Sequence, residues 1–194
     1  MFSTPPPVWE THASFIIAVI ALLVAIITLP TVIQMFFGKP KIDIIPHLHI
    51  GDNGYRTLRC YIANAPIKSK ILRWMGIVRS DAEVGCDFAI FEMGTNRKIV
   101  EFVRPVLYGE SHESRHLRIV AGMVPARIII VHHNDLGAKI WNDDQIDKVN
   151  NDDTGVPLSK GYYMANISAI ISNYGVISKQ LEFTIGETPS KTYW

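Results

Sequence analysis

Two hydrophobic patterns divide the chain. Residues 15–37 read FIIAVIALLVAIITLPTVIQMFF, an apolar run without a formal charge. A helix rises about 1.5 Å per residue, so this run spans the roughly 30 Å hydrocarbon layer of a bilayer. One isolated span in lipid must satisfy its own backbone hydrogen bonds, which leaves helix as its state. Pro30 removes one donor and predicts a kink or the start of a second helical part. The polar residues Thr28, Thr31 and Gln34 gather toward the C-terminal end.

From Lys41 onward the period is two. Ile42, Ile44, Leu48 and Ile50 share one face, opposite Asp43, His47 and His49. Leu58, Cys60 and Ile62 alternate with Thr57, Arg59 and Tyr61. Tyr163, Ala165, Ile167, Ala169 and Ile171 alternate with Met164, Asn166 and Ser168. Ile177, Leu181, Phe183 and Ile185 alternate with Ser178, Gln180, Glu182 and Thr184. Such alternation marks strands with one buried face. Further strands are predicted at 70–78, 87–93, 98–103, 115–120 and 126–132. Turn signals separate them, at Asp52-Asn53-Gly54, Ala65-Pro66, Gly94-Thr95-Asn96, Gly122 with Pro125, and 173–175. Many short strands without a soluble helical pattern predict an antiparallel β-sandwich after one transmembrane helix. The predicted organisation is a Pro-rich tail at 1–14, a transmembrane helix at 15–37, a β-sandwich domain at 38–186 and a C-terminal tail at 187–194.

Charge sharpens the division. All 19 Lys and Arg, and all but one of the 18 Asp and Glu, follow residue 38; the exception is Glu10. With 48% hydrophobic residues the chain can bury a core, which excludes a disordered protein. A net charge of +1 and a pI near 7.8 argue against nucleic-acid binding through bulk charge. A cleaved signal peptide needs a basic flank and a shorter apolar stretch, neither of which is present. The positive-inside rule uses Lys39 and Lys41, directly after the span, to place the C-terminal domain in the cytoplasm under the plasma (inner) membrane. Cys60 and Cys86 as free thiols suit that reducing compartment.

One local pattern narrows the fold. Leu158-Ser159-Lys160-Gly161-Tyr162-Tyr163 precedes a long alternating strand. It resembles the tyrosine corner of immunoglobulin-like sandwiches, with Tyr163 as the corner residue. Cys60 precedes Trp74 by 14 residues, which resembles the strand-B cysteine and strand-C tryptophan of those domains. Ala165 occupies the place of the partner cysteine, so the resemblance implies an immunoglobulin-like sandwich without the inter-sheet disulfide. In that frame Cys60, Trp74 and Tyr163 are structural core residues. The chain also looks like uncharacterised bacterial single-pass proteins with a small β domain, a resemblance that implies no activity.

Three strings carry candidate chemistry. His112-Glu113-Ser114-Arg115-His116 matches H-E-x-x-H and resembles the zinc metallopeptidases. There, a helix aims two imidazoles at one metal and the glutamate serves as base. The following Leu117-Arg118-Ile119-Val120 alternates like a strand, and on a strand residues i and i+4 stand about 13 Å apart. His47 with His49, and His132 with His133, read as outward polar positions. The stretch 142–153, NDDQIDKVNNDD, sets Asp143, Asp144, Asp147, Asp152 and Asp153 in one loop. These offer oxygen ligands for Ca²⁺ without its spaced motif, or a loop for partner contacts. Lys68, Lys70 and Arg73 read either as cations protecting a sheet edge or as contacts to anionic lipid headgroups. Phosphate-binding glycine loops, a G-x-S-x-G elbow and a C-x-x-C pair are all absent from the sequence, so no cofactor is predicted.

The expected role is a membrane-anchored, non-enzymatic module that binds a protein partner. Three alternatives stay open: a membrane-bound zinc peptidase using His112, Glu113 and His116; an outward-facing envelope or adhesion module; and an effector that oligomerises through its helix.

Overall fold

The computed structural model describes residues 8–52, 54–103, 105, 107–109, 113–140 and 155–193. The chain forms two compact units. The first comprises Met1–Lys39 and Ile67–Arg79; the second comprises Pro40–Pro66 and Ser80–Trp194.

The first unit is built on helix α1, Val8–Phe37, which starts inside the segment expected to be a Pro-rich tail and is continuous through Pro30. Its 26-residue stretch His12–Phe37 is long and apolar enough to cross a membrane, and its side chains are exposed almost throughout. The chain returns to this unit at Ile67–Arg79, where the sequence pattern predicted a strand. The segment instead holds a five-residue helix, α2, at Lys70–Trp74. Local chemistry explains the difference. Ser69 is the N-cap, and its side chain accepts from the Leu72 backbone N–H. At the other end Gly76 has φ +74, in the left-handed region. Ile77 N–H donates to the Leu72 carbonyl and Gly76 N–H to the Arg73 carbonyl, closing a Schellman motif. These caps override the weak alternation of the segment.

The second unit is an antiparallel β-sandwich. One sheet, sheet A, contains β1 (Ile42–Ile50), β2 (Arg56–Asn64), β5 (Leu107–Tyr108), β6 (Glu113–Ser114), β8 (Ala126–Asn134), β9 (Gly137–Ile140) and β10 (Val156–Leu158). Its path runs β1-β2-β8-β5-β6, and β9 joins β8 to β10. The other, sheet B, contains β3 (Ala82–Glu92), β4 (Arg97–Val103), β7 (Leu117–Ile119), β11 (Gly161–Ile171) and β12 (Gly175–Ile185). Its order is β12-β11-β3-β4, with β7 pairing the opposite end of β3. The inward residues of both sheets form one core that includes Leu58, Ile62, Ile90, Ile128 and Ile167. This is the packed two-layer solution expected from period-two strands.

Two details move side chains. A register shift between Leu58 and Arg59 marks a bulge in the pairing of β2 with β8. Ile130 and Val131 are both buried, so the alternation of β8 inverts. His132 consequently turns outward and His133 turns inward, where it is 2% exposed. The predicted C-terminal tail is part of the domain. Thr192 is fully buried, and Thr184 and Tyr193 form a bridge. The Arg56 guanidinium donates to the Thr192 carbonyl, and the Thr192 hydroxyl is hydrogen-bonded to His133 Nδ1.

Candidate functional site

The sequence candidates scatter across the fold. Tyr163 is buried at the start of β11, and its hydroxyl donates to the Ser159 carbonyl oxygen at 2.8 Å. Its ring stacks on Phe183 with centroids 5.6 Å apart. Cys60 lies in the core as a free thiol, and burial pushes its pKa up to about 12. Cys86 is likewise buried and forms no disulfide. Trp74 breaks the expected core trio: it ends α2 and is 87% exposed. The helix caps place it outside any strand, so it cannot pack on Cys60 as the immunoglobulin resemblance implied.

The H-E-x-x-H string does not run on a helix. Glu113 and Ser114 form β6, paired with β5, and His116 follows a bend as an exposed residue. Its ring lies over Gly85, where an added Cβ would stand 3.1 Å from the imidazole. His112 lies outside the described residues. The extended backbone removes the one-face presentation that zinc ligation by this motif requires. Asp143, Asp144, Asp147, Asp152 and Asp153 also lie outside the described residues. Among the described residues, no group of three or more His, Cys, Asp or Glu is placed to hold a metal ion.

What the pairing does assemble is a cationic, aromatic face on the outside of sheet A. The register aligns His49 with Thr57 and His132, then His47 with Arg59 and Ile129, then Ile45 with Tyr61 and Arg127. Tyr108 pairs Arg127 from the other side, and the Arg127 guanidinium lies 5.5 Å from the Tyr108 ring centroid. The rings of His47 and Tyr61 stand 5.6 Å apart. Thr57 Oγ1 is hydrogen-bonded to His132 Nδ1 at 2.9 Å.

Cations dominate around Arg59, while Asp52 acts on His49 in the opposite sense and Asp43 is exposed further along β1. The Arg59 charge, followed by burial and by His47, lowers the pKa of His49. Burial and then Arg59 lower that of His132. Burial and then Arg127 lower that of Arg59 itself. Each shift disfavours the protonated form, at His132 and Arg59 chiefly through burial and at His49 chiefly through the Arg59 charge. Among the described residues neither Arg59 nor Arg127 makes an ion pair, and the Nε of each is buried without a hydrogen-bond partner.

Arg59, Tyr61 and the His47–His49 pair were visible as outward strand positions. Their union with Arg127 and Tyr108 was not, because it needs the β2–β8 register and its bulge. No protein-family model matches this chain, and no curated protein matches it.

Proposed function

We propose that this protein is a non-enzymatic interaction module, held by helix α1 on the cytoplasmic side of the plasma (inner) membrane. It presents the outer face of sheet A to an acidic segment of a protein partner. One observation carries this reading: Arg59 and Arg127 stand side by side with His47, His49, Tyr61 and Tyr108, and no carboxylate pairs either arginine among the described residues. Arginine and tyrosine are enriched among the few residues that dominate binding energy at protein interfaces. Complementary charge adds specificity and speeds association. Anchoring raises the local concentration of the face near other membrane proteins.

An immunoglobulin-like identity is supported by connectivity. The β1-β2-β8 path corresponds to strands A, B and E, and β4-β3-β11-β12 to C′, C, F and G. The Tyr163–Ser159 hydrogen bond falls where a tyrosine corner belongs. The cytoplasmic placement is supported by Lys39 after the span and by Lys68, Lys70, Arg73 and Arg79, which the fold returns to the same unit.

Site-directed photo-crosslinking in cells tests the reading. A photoreactive residue at exposed His47 is expected to give a discrete adduct that the double change R59E/R127E abolishes. The same probe at exposed Ser178, on the other sheet, is expected to give none. Failure of the His47 probe to give an adduct refutes the proposed face. For topology, Ser190→Cys is expected to resist an impermeant maleimide until the membrane is permeabilised. Immediate labelling in intact cells would place the domain outside.

A further inference from the structure

The excursion Ile67–Arg79 leaves a apolar surface that the sandwich does not explain. Ile71 is 70% exposed, Trp74 is 87% exposed and Val78 is 66% exposed. Ile71 and Trp74 are three residues apart on α2 and therefore share a face. Around them stand Lys68, Lys70 and Arg73, all exposed, and no Asp or Glu occurs between residues 67 and 79. A tryptophan and an isoleucine ringed by cations have the composition of an interfacial membrane segment.

The position of this segment is fixed by three hydrogen bonds within the first unit. Gln34 Nε2 donates to the Val78 carbonyl oxygen at 2.7 Å, and Val78 N–H donates to Gln34 Oε1 at 3.2 Å. The side-chain amide thus pairs with one peptide unit as a neighbouring strand would. A guanidinium nitrogen of Arg79 donates to the Lys39 carbonyl oxygen at 2.8 Å. Gln34 lies three residues before the end of α1, roughly 4–5 Å along its axis. Val78 is therefore held at the depth where the span leaves the hydrocarbon. Gly38 is needed there: a Cβ on it would overlap both Gln34 Nε2 and the Gln34 carbonyl oxygen. An amide buried near lipid without a partner is costly, so the clasp also explains a glutamine at this point of an apolar helix.

We propose that residues 67–79 form a lipid-docking element. It seats Ile71 and Trp74 in the interface of the leaflet at the C-terminal end of the span and holds anionic headgroups with Lys68, Lys70 and Arg73. The occupant is the anionic bilayer surface in which α1 is already inserted, because the Gln34 clasp leaves the segment at no other depth. Charge complementarity selects anionic over zwitterionic lipid.

Fluorescence of the full chain in vesicles tests this. Trp9, Trp141 and Trp194 are replaced by Phe, leaving Trp74 as the reporter. In phosphatidylcholine vesicles containing phosphatidylglycerol, lipids brominated near the carbonyls are expected to quench Trp74 about twofold or more, as for an indole at the headgroup–acyl boundary. Quenching is expected to weaken in phosphatidylcholine alone, and the triple change K68E/K70E/R73E is expected to remove the difference. Water-like emission without quenching in either vesicle overturns the docking. Equal quenching with and without phosphatidylglycerol overturns the anionic selectivity and the proposal with it. Neither result touches the crosslink from His47, so this proposal and the partner face fail separately.

Discussion

The Tyr163 hydroxyl donates to the carbonyl oxygen of Ser159, four residues upstream, and so ties the start of β11 to the turn that feeds it. The ring beneath that hydroxyl packs on Phe183 in the core. Burial, and then the Glu92 charge, raise the Tyr163 pKa, so the hydroxyl remains a donor at neutral pH. Tyr163→Phe keeps the ring and removes the bond. Because Ser159 is exposed, water can take over its carbonyl, and the expected loss is about 1 kcal/mol. Tyr163→Ala also empties core volume and is expected to cost about 3–5 kcal/mol. Chemical unfolding of the detergent-solubilised chain measures both; equal losses would mean that the hydroxyl carries the whole effect.

Burial of the two thiols gives a second expectation. Cys60 and Cys86 are buried and form no disulfide, and burial pushes the Cys60 thiol up to about 12. Both side chains are shielded from solvent, so neither cysteine should react with a maleimide at pH 7.5 in the folded protein. Both should react once the chain is unfolded. A count of labelled thiols by mass spectrometry before and after denaturant checks this. Labelling of the folded chain would show that the sandwich opens at β2 or β3.

The inward turn of His133 predicts a pH dependence. Its Nδ1 is hydrogen-bonded to the buried Thr192 hydroxyl, and burial followed by Arg56 lowers its pKa from the ordinary 6.5. The folded state therefore holds His133 neutral, while the unfolded chain takes up a proton below 6.5. Stability is full above that value, falls as pH drops below it, and levels once the folded-state pKa is passed. His132, also lowered by burial, contributes with the same sign. Unfolding midpoints measured from pH 8 to pH 5 should decline only below about 6.5. Thr192→Val should lower the midpoint at every pH by removing the hydroxyl that also accepts from Gly186 N–H.

The parts of the fold legible in the sequence are those where one local rule acts alone. Ile42–Ile50 matches its expected bounds, and β4, β8, β11 and β12 match within two residues at either end, because each carries a run of alternation; β3 begins at Ala82, five residues before the expected start. The two-residue strands β5 and β6 are too short to show a period. The 70–78 segment was misread because Ser69 and Gly76 act as helix caps, and Trp74 went with it. His133 and the cationic face depend on one bulge and on pairing across some 70 residues of chain, which no local pattern encodes. Thr192 looked like tail because its partners, His133 and Arg56, are distant in sequence.

Charge coupling across the outer face can be read at a single imidazole. The largest cause lowering the His49 pKa is the Arg59 charge. Arg59→Gln removes that charge and should raise the His49 pKa toward its ordinary value, since protonation no longer brings two cations together. An NMR titration of the His49 ring resonances in wild type and variant measures the change. The same resonances should move upward in pKa when an acidic peptide occupies the face, because a nearby anion favours the imidazolium. A His49 pKa unmoved by Arg59→Gln would show that the two side chains are screened from each other and would weaken the face as an anion acceptor.

The Gln34 clasp makes the last prediction, and two substitutions approach it from opposite sides. Gln34→Leu keeps α1 apolar and helical but removes both bonds to Val78. Gly38→Ala leaves the glutamine in place but overlaps its side chain and carbonyl. Both are expected to release the Val78 amide, which is otherwise tied to Gln34 Oε1 at 3.2 Å. Amide hydrogen exchange of the micelle-embedded chain should show faster exchange at Val78 in both variants, by about tenfold for a bond worth about 1.4 kcal/mol. Exchange in the β11 and β12 ladders, which belong to the other unit, should be unchanged. If Val78 exchanged at the same rate in wild type and both variants, the clasp would not exist in the membrane-mimetic state, and residues 67–79 would have no fixed depth. Faster exchange in Gly38→Ala alone would point to the helix end rather than the glutamine amide as the element that holds the segment.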